Sequence, residues 1–245
     1  MGKTLILYLK KIILAGIFLV SALLLRSEYE KSCLKVSFYK IRTKKKIGEK
    51  INSKKRLIFL SDLHNKKFGI DNERLITAID SLSPDILLIG GDMPVVKKGK
   101  KIRHTGSFKG PDIDTTLKLC LSLSEKHPVF YSNGNHELRL KDKKIYGNKY
   151  LFFKNALKRA GVHYLEDKQE DCGCFSIAGL DIDMKYYTNK YSMNDIYIEK
   201  KIGKCSELKF NILLAHSPMY HAAYADWGAD LALSGHNLTD RKSVV

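Results

Sequence analysis

The sequence predicts an α/β protein in which helices cover layers of β-sheet. Short apolar runs that are typical of buried strands alternate along the chain with amphipathic stretches of helical periodicity. Polar residues that can bind metal ions directly follow several of those apolar runs. The chain has 245 residues, of which 44% are hydrophobic and 10% aromatic, so it can build one sizeable domain with a full core.

The first 26 residues are interpreted as a membrane anchor. Residues 12–25 are apolar without interruption, and Lys10 and Lys11 could snorkel so that the helix extends back to Leu5. An apolar run of this length also suits a cleaved signal peptide. Because apolar residues continue past the small-residue site at 20–22, we favour an uncleaved, single-pass anchor in the cell membrane.

Residues 27–56 are interpreted as a basic juxtamembrane segment that contains an edge strand at 34–41, where apolar and polar residues alternate. The net charge of +17 fits an anionic lipid surface, nucleic acid or a phosphorylated substrate, and equally an AT-rich coding sequence that favours lysine. The lysines at 97–103 carry no interleaved aromatic residues, so we expect no nucleic-acid partner. The five cysteines are spaced irregularly, which predicts free, mostly buried thiols.

Strands and helices alternate through the body of the chain. Strands are predicted at residues 57–60, 85–89, 129–132, 175–180, 210–214 and 231–234. One helix is predicted between its cap Asp71 and Pro84, a second from a cap at Asp112 or Asp114 to Lys126, and a third at residues 149–160. Residues 97–111 are predicted to form a loop. In such folds ligands bind at the carboxyl ends of the strands.

The polar residues that follow the strands form a candidate ligand set for two divalent cations. Asp92 follows two glycines, which allow close backbone approach, and its two oxygens could bridge both ions. Nitrogen and oxygen ligands together suit Mn, Fe, Zn or Co better than Ca. Two such ions can clamp a phosphoryl group, acidify a water molecule and stabilise a leaving oxygen. The candidate ligands are Asp62, His64, Asp92, Asn135, His216 and His236, with His136 left free to act as a general acid.

These motifs resemble those of the calcineurin-like metallophosphoesterases over about residues 57–238. The resemblance is carried by Asp62-Leu63-His64, Gly91-Asp92, Gly134-Asn135-His136-Glu137, His216 and Gly235-His236. The sequence of residues 58–65, together with an N-terminal anchor, is similar to that of a bacterial membrane-associated branch of the family. This branch includes UDP-2,3-diacylglucosamine pyrophosphatase-like phosphoesterases.

The resemblance implies a four-layer α-β-β-α sandwich, and a domain on the outer face of the membrane, since that branch is often exported. It implies that Asp62, His64 and the bridging Asp92 hold one metal ion. It also implies that the second ion is held by Asp92, Asn135, His216 and His236. His136 would then protonate the leaving group.

The last motif departs from the family pattern. The family ends on Gly-His-x-His and continues with further strands, whereas this chain has Leu238 at the second histidine position. We therefore interpret residues 57–239 as a metallophosphoesterase domain that is incomplete at its C-terminus. Residues 240–245 are interpreted as an artefactual tail, because they can be back-translated into a common sequencing-adapter stretch.

The sequence therefore predicts a metal-dependent phosphoric ester hydrolase. It would cleave a phosphodiester or a diphosphate through a metal-bound hydroxide, with a phosphorylated small molecule or a lipid-linked compound as substrate. The alternative is a non-catalytic binding protein on the same fold, because the last metal-ligand histidine is missing.

Overall fold

The computed structural model describes residues 2–43, 45, 54–97, 110–188 and 190–236, and the chain divides into the units Met1–Lys35 and Val36–Val245. The first unit contains a single long helix, α1 (Gly2–Ser32). Within α1, Tyr8–Ser27 is long and apolar enough to cross a membrane, by length and composition alone. The apolar run predicted at residues 12–25 lies inside this segment.

The second unit contains two β-sheets. In the first sheet all neighbouring strands are parallel, and their spatial order is β1 (Leu57–Leu60), β2 (Ile86–Ile89), β3 (Val129–Ser132) and β4 (His163–Leu165). In the second sheet the order is β5 (Lys168–Cys172), β6 (Phe175–Leu180), β7 (Phe210–Ala215) and β8 (Leu231–Leu233). There β5 is antiparallel to β6, and the remaining pairs are parallel.

Helices connect the parallel strands, as crossover connections require. Those that connect the strands of the first sheet are α2 (Glu73–Leu82), α3 (Asp114–Ser124), α4 (Asn135–Leu140), α5 (Lys143–Tyr146) and α6 (Lys149–Arg159). Those within the second sheet are α7 (Asp195–Ile202) and α8 (His221–Trp227). Short 3-10 turns occur at Ile70–Asn72, Met184–Tyr187 and Pro218–Tyr220.

The two sheets face each other across an apolar core. Phe130 of β3 belongs to one buried cluster with Ile177 of β6 and Ile212 of β7. The next residues along β6 and β7 point to the opposite face, where a second cluster includes Trp227 of α8 and Ile198 of α7. Helices α3 and α6 pack against the first sheet. The layers therefore follow the order helix, sheet, sheet, helix, which confirms the predicted α/β sandwich.

Two local predictions are wrong. Residues 34–41 form no edge strand; only Val36 is in a bridge, and Phe38 and Tyr39 are 78% and 73% exposed, so the alternating pattern has no core face to bury. Asp71 does not cap α2, because it lies in a 3-10 turn with φ of 48°. The second helix begins as predicted after Asp112, whose carboxylate accepts hydrogen bonds from Thr115.

The cysteines are free, as predicted, but most are not buried: Cys120 is buried, Cys33 is exposed and the other three are half-buried. Several predicted features lie outside the described residues. They are most of the 97–111 loop, position 238 of the last motif, and the tail at residues 240–245.

Candidate metal centre

The chain leaves its strands in left-handed backbone conformations at the candidate site. Asp62, His64, Asp92 and His236 have φ angles of 56°, 48°, 53° and 53°. Residues other than glycine adopt this region rarely, at a cost of about 1–3 kcal/mol each. The sharp turns rotate successive side chains away from the alternation of the strand. They therefore direct both Asp62 and His64 into the same space after β1.

Two glycines let the loops after β2 and β3 touch. A Cβ atom on Gly91 would lie 2.1 Å from the backbone nitrogen of Gly134, and one on Gly134 would lie 2.3 Å from Asp92 Oδ1. Both distances are too short for any side chain, so only glycine fits at either position. The close approach places Asp92 next to Asn135, the first residue of α4.

Glu137 holds these two loops together. Its fully buried carboxylate accepts backbone hydrogen bonds from Asp92 at 2.9 Å, Met93 at 3.1 Å and Gly134 at 2.9 Å. The hydroxyl of Tyr131 donates a fourth hydrogen bond at 2.6 Å. Burial and the nearby charge of Asp92 raise the pKa of Glu137, whereas these donors stabilise its charged form. Glu137 therefore fixes the backbone from which two candidate ligands project.

Asp92 and His216 form the most buried contact of the site. His216 Nε2 lies 3.1 Å from Asp92 Oδ2, and His216 Nδ1 donates to the carbonyl oxygen of Gly90 at 2.7 Å. Burial would raise the pKa of Asp92, but the charge of His216 lowers it to about 2. Burial would lower the pKa of His216, but Asp92 and Asp62 raise it to about 9. A proton on His216 Nε2 thus balances the carboxylates, and a metal ion would have to displace it.

The side chains of Asp62 and His64, which follow β1, border the same space but lie farther from their neighbours. His64 Nε2 lies 3.7 Å from Asp62 Oδ1 and 3.9 Å from Asp92 Oδ2, and His216 Nε2 lies 3.7 Å from Asp62 Oδ1. These separations are too long for hydrogen bonds. They match the spacing of ligand atoms that share a cation at about 2.0–2.2 Å from each.

Asn135 turns its amide oxygen toward other acceptors. The oxygen lies 2.9 Å from Asp92 Oδ2 and 3.0 Å from His236 Nδ1, while the amide nitrogen lies 2.7 Å from Arg139 Nη2. A half-turn of the amide would satisfy all these groups in the absence of a cation. With a cation present, an amide oxygen at this position could share it with Asp92 and His236. The backbone N–H of His236 donates to the carboxylate of Asp62, which joins β8 to β1.

His136 lies at the edge of this group. Its Nδ1 accepts a hydrogen bond from the backbone N–H of Val96 at 2.7 Å, and its Nε2 lies 3.9 Å from Asp92 Oδ2. Its ring meets that of His64 edge-on, with centroids 4.8 Å apart. Burial, which outweighs the charge of Asp92, lowers the pKa of His136 to about 4. In the metal-free protein the ring is therefore neutral at pH 7, with its proton on Nε2.

The structure thus brings every predicted site residue into one cluster. Ligand atoms of His64, Asp92 and His136 lie within 4.8 Å of one another, and so do those of Asp92, His216 and His236. Asp92 belongs to both sets. The sequence predicts His136 only as a proton donor, whereas the structure also groups it with two candidate ligands.

Two residues at the site escaped the sequence analysis. Arg139 lies one turn after His136 on α4, with Nη1 at 3.0 Å from His136 Nε2, and this helical spacing could have indicated it. The ring of Tyr187 lies 5.2 Å from that of His236, and its buried hydroxyl has no hydrogen-bond partner among the described residues. Tyr187 comes from a 3-10 turn after β6, and nothing in its local sequence indicates a position at the site.

The chain belongs to the calcineurin-like phosphoesterase family, whose model matches residues 55–240. Membership indicates metal-dependent hydrolysis of phosphoric esters, by a family that generally binds divalent metal ions. No curated protein matches the sequence. Sixteen chains of solved structures match it. One of them aligns with 78% of this chain and 87% of its own, at 14% identity and a TM-score of 0.48.

The residues present fit such metal ions. His216 Nε2 is buried without a hydrogen-bond partner among the described residues, and it faces two carboxylates. Buried groups of this kind are costly unless a proton or a cation neutralises them.

Proposed function

We propose that this protein hydrolyses a phosphodiester or diphosphate bond with the help of two divalent metal ions. The observation that carries the proposal is the position of Asp92. Its buried carboxylate belongs to two groups of potential ligands, one with His64 and His136 and one with His216 and His236, and within each group the ligand atoms lie within 4.8 Å of one another. A shared carboxylate between two groups of nitrogen and oxygen ligands is the arrangement that a two-metal site requires.

Specific residues would hold each ion. Asp62, His64 and Asp92 would hold one, and Asp92, Asn135, His216 and His236 the other; the mixed ligands favour Mn, Fe or Zn. The bound ions would supply Lewis acidity for the phosphoryl oxygens and lower the pKa of a coordinated water molecule. The backbone contacts of Glu137 keep Asp92 and Asn135 in place while substrate binds and product leaves.

His136 is proposed to protonate the leaving oxygen. Because Val96 donates to Nδ1, the proton of the neutral ring stays on Nε2, on the side of the ring that faces Asp92. In its protonated form the ring would carry an acidic proton on Nε2, at the position where the leaving oxygen needs one.

We further propose that Tyr8–Ser27 anchors the protein in the cell membrane, with the domain on the outer face and a phosphorylated small molecule or a lipid-linked substrate. The apolar composition of this helix and the basic residues at 27–56 support the anchor. Full-length protein should remain in the membrane pellet after an alkaline wash, whereas residues 27–245 should be found in the supernatant. Protease added to intact cells tests the side: protection of the domain would place it in the cytoplasm.

Replacement of Asp92 tests the proposed two-metal function. Asp92→Asn should lose most of the bound Mn and at least a hundredfold in turnover of a chromogenic phosphodiester, because this carboxylate is shared by both ions. Asp71→Asn is the matched control, since Asp71 is exposed on the 3-10 turn before α2. An Asp92→Asn variant with two equivalents of Mn and normal turnover would exclude the proposal.

A further inference from the structure

We infer that Arg139 binds a non-bridging oxygen of the phosphoryl group that is cleaved, and so positions the substrate beside the two ligand groups. The inference rests on the proposed function, and it adds a residue to which neither the motif pattern nor the metal ligands assign a role. Arg139 lies on α4 one turn after His136, and its side chain is half-buried at the site.

The groups around Arg139 leave its hydrogen-bond donors poorly matched. Several groups in the described part of the chain contact the guanidinium. Only one of them, the carbonyl oxygen of Val96 at 3.2 Å from Nη1, is an acceptor whatever the tautomer of His136 and the orientation of the Asn135 amide. Nε of Arg139 is buried and has no partner among the described residues. A buried guanidinium donor without an acceptor is unfavourable.

Metal binding makes this mismatch larger. When the oxygen of Asn135 faces the cation site, its amide nitrogen lies 2.7 Å from Arg139 Nη2, so two donors meet. A half-turn of the amide would give Nη2 an acceptor, but it would also remove the oxygen from the cation site. If Asn135 directs its oxygen to a cation, Arg139 would therefore lose its neighbouring acceptor.

His136 offers no substitute acceptor. Because the backbone N–H of Val96 donates to His136 Nδ1, the ring proton lies on Nε2, and Nε2 is 3.0 Å from Arg139 Nη1. This is again a contact between two donors. An anion that enters between the ligand groups and α4 would supply acceptors to both Arg139 and His136.

A phosphoryl group has the chemistry that this position needs. It presents several oxygens in a geometry that a guanidinium fork can bind with two hydrogen bonds, and its charge matches that of arginine. One oxygen could face the metal ligands while another accepts from Arg139. The arrangement assigns to Arg139 a role in substrate binding, and leaves proton transfer to His136.

Binding of inorganic phosphate tests the inference without relying on turnover. Calorimetry on the full chain loaded with Mn in detergent should show that Arg139→Gln weakens phosphate binding about tenfold or more, as expected for the loss of a charge-assisted pair. Arg139→Lys should fall between wild type and the glutamine variant, because lysine keeps the charge but not the fork. Arg159→Gln, an exposed arginine in the last turn of α6, is the matched control and should stay within twofold of wild type.

Several results would overturn the inference. One is a phosphate affinity of Arg139→Gln within twofold of wild type, and another is an equal loss of phosphate affinity in Arg159→Gln. A third is a loss of Mn from Arg139→Gln, which would make Arg139 a support for Asn135 instead. If Arg139→Gln does not fold, wild-type affinity in Arg139→Lys would have the same meaning. Wild-type protein that binds phosphate through Arg139 but hydrolyses no ester would leave this inference standing and remove the proposed function.

Discussion

The carboxylate of Glu137 accepts the backbone N–H of Asp92 at 2.9 Å, so a side chain on α4 sets the position of the loop after β2. The same carboxylate binds the N–H of Gly134 in the loop after β3. The two loops that carry Asp92 and Asn135 therefore cannot shift independently. Glu137 thus stabilises the candidate metal centre through hydrogen bonds to the backbone of both loops.

Replacement of Glu137 by glutamine should weaken both the fold and the site. The amide would present donors where the backbone N–H groups of Asp92 and Gly134 also donate, which should lower the free energy of unfolding by about 3 kcal/mol. Chemical denaturation and metal analysis measure the two effects. Glu125→Gln, at the exposed end of α3, should change neither. Normal stability and metal content in Glu137→Gln would show that the hydrogen bonds of Glu137 do not hold the loops.

The affinity for Mn should rise with pH. In the metal-free protein the pKa of His216 is about 9, so below that pH a proton occupies the nitrogen that the metal ion needs. The ion that His216 would bind must displace this proton, and the apparent affinity for that ion should therefore rise about tenfold per pH unit between pH 6 and 8. Competition with a fluorescent chelator measures the affinity at each pH. An affinity independent of pH over this range would contradict the assignment of His216 as a ligand.

Replacement of His136 by alanine should separate chemistry from metal binding. We expect the variant to retain both equivalents of Mn but to lose about a hundredfold or more in turnover, since a general acid contributes that much. His221→Ala, which removes an exposed imidazole from the start of α8, serves as the control. Because His136 also clusters with His64 and Asp92, loss of one metal equivalent would instead identify it as a ligand.

Glu166 should stabilise the domain in a way that depends on pH. Burial would raise its pKa, but hydrogen bonds from Lys141 and Lys154 lower it to about 2, below its ordinary value of 4.5. Its contribution, about 2 kcal/mol after a discount for partial exposure, should be full above pH 4.5 and lost as the pH falls toward 2.

Denaturation of Glu166→Gln at several pH values tests this contribution. The difference in stability from wild type should be constant above pH 5 and should shrink below pH 4.5. A constant difference down to pH 3 would contradict the ion pairs.

Most strands could be predicted from apolar runs in the sequence. The site residues could be predicted because they directly follow those runs. The carboxyl ends of parallel strands lie at the same edge of a sheet. Convergence of the residues that follow β1, β2, β3, β7 and β8 can therefore be predicted before any contact between them is known. Strands β4 and β5 are not among the predicted strands, because β4 has only three residues and the sequence of β5, Lys168 to Cys172, is polar. Gly173, with φ of 55°, turns the chain so that β5 forms a hairpin with β6.

Other features depend on tertiary contacts that no local pattern contains. Residues 34–41 alternate like a strand, yet alternation predicts a strand only where a neighbour and a core face exist. Two of the four donors that converge on Glu137 are distant in sequence, because Asp92 and Met93 lie in the loop after β2, whereas Tyr131 and Gly134 lie within six residues of Glu137. The approach of Tyr187 to His236 joins a turn of the second sheet to the end of β8.

The most direct test of the two-metal hydrolase is removal and return of the metal. The full chain is treated with a strong chelator, dialysed and assayed with bis(p-nitrophenyl) phosphate. We expect no hydrolysis by the metal-free protein, and recovery that rises with added Mn until the metal sites of the chain are filled. Undiminished hydrolysis after complete removal of metal, or no hydrolysis with two equivalents of Mn bound, would contradict the proposed function.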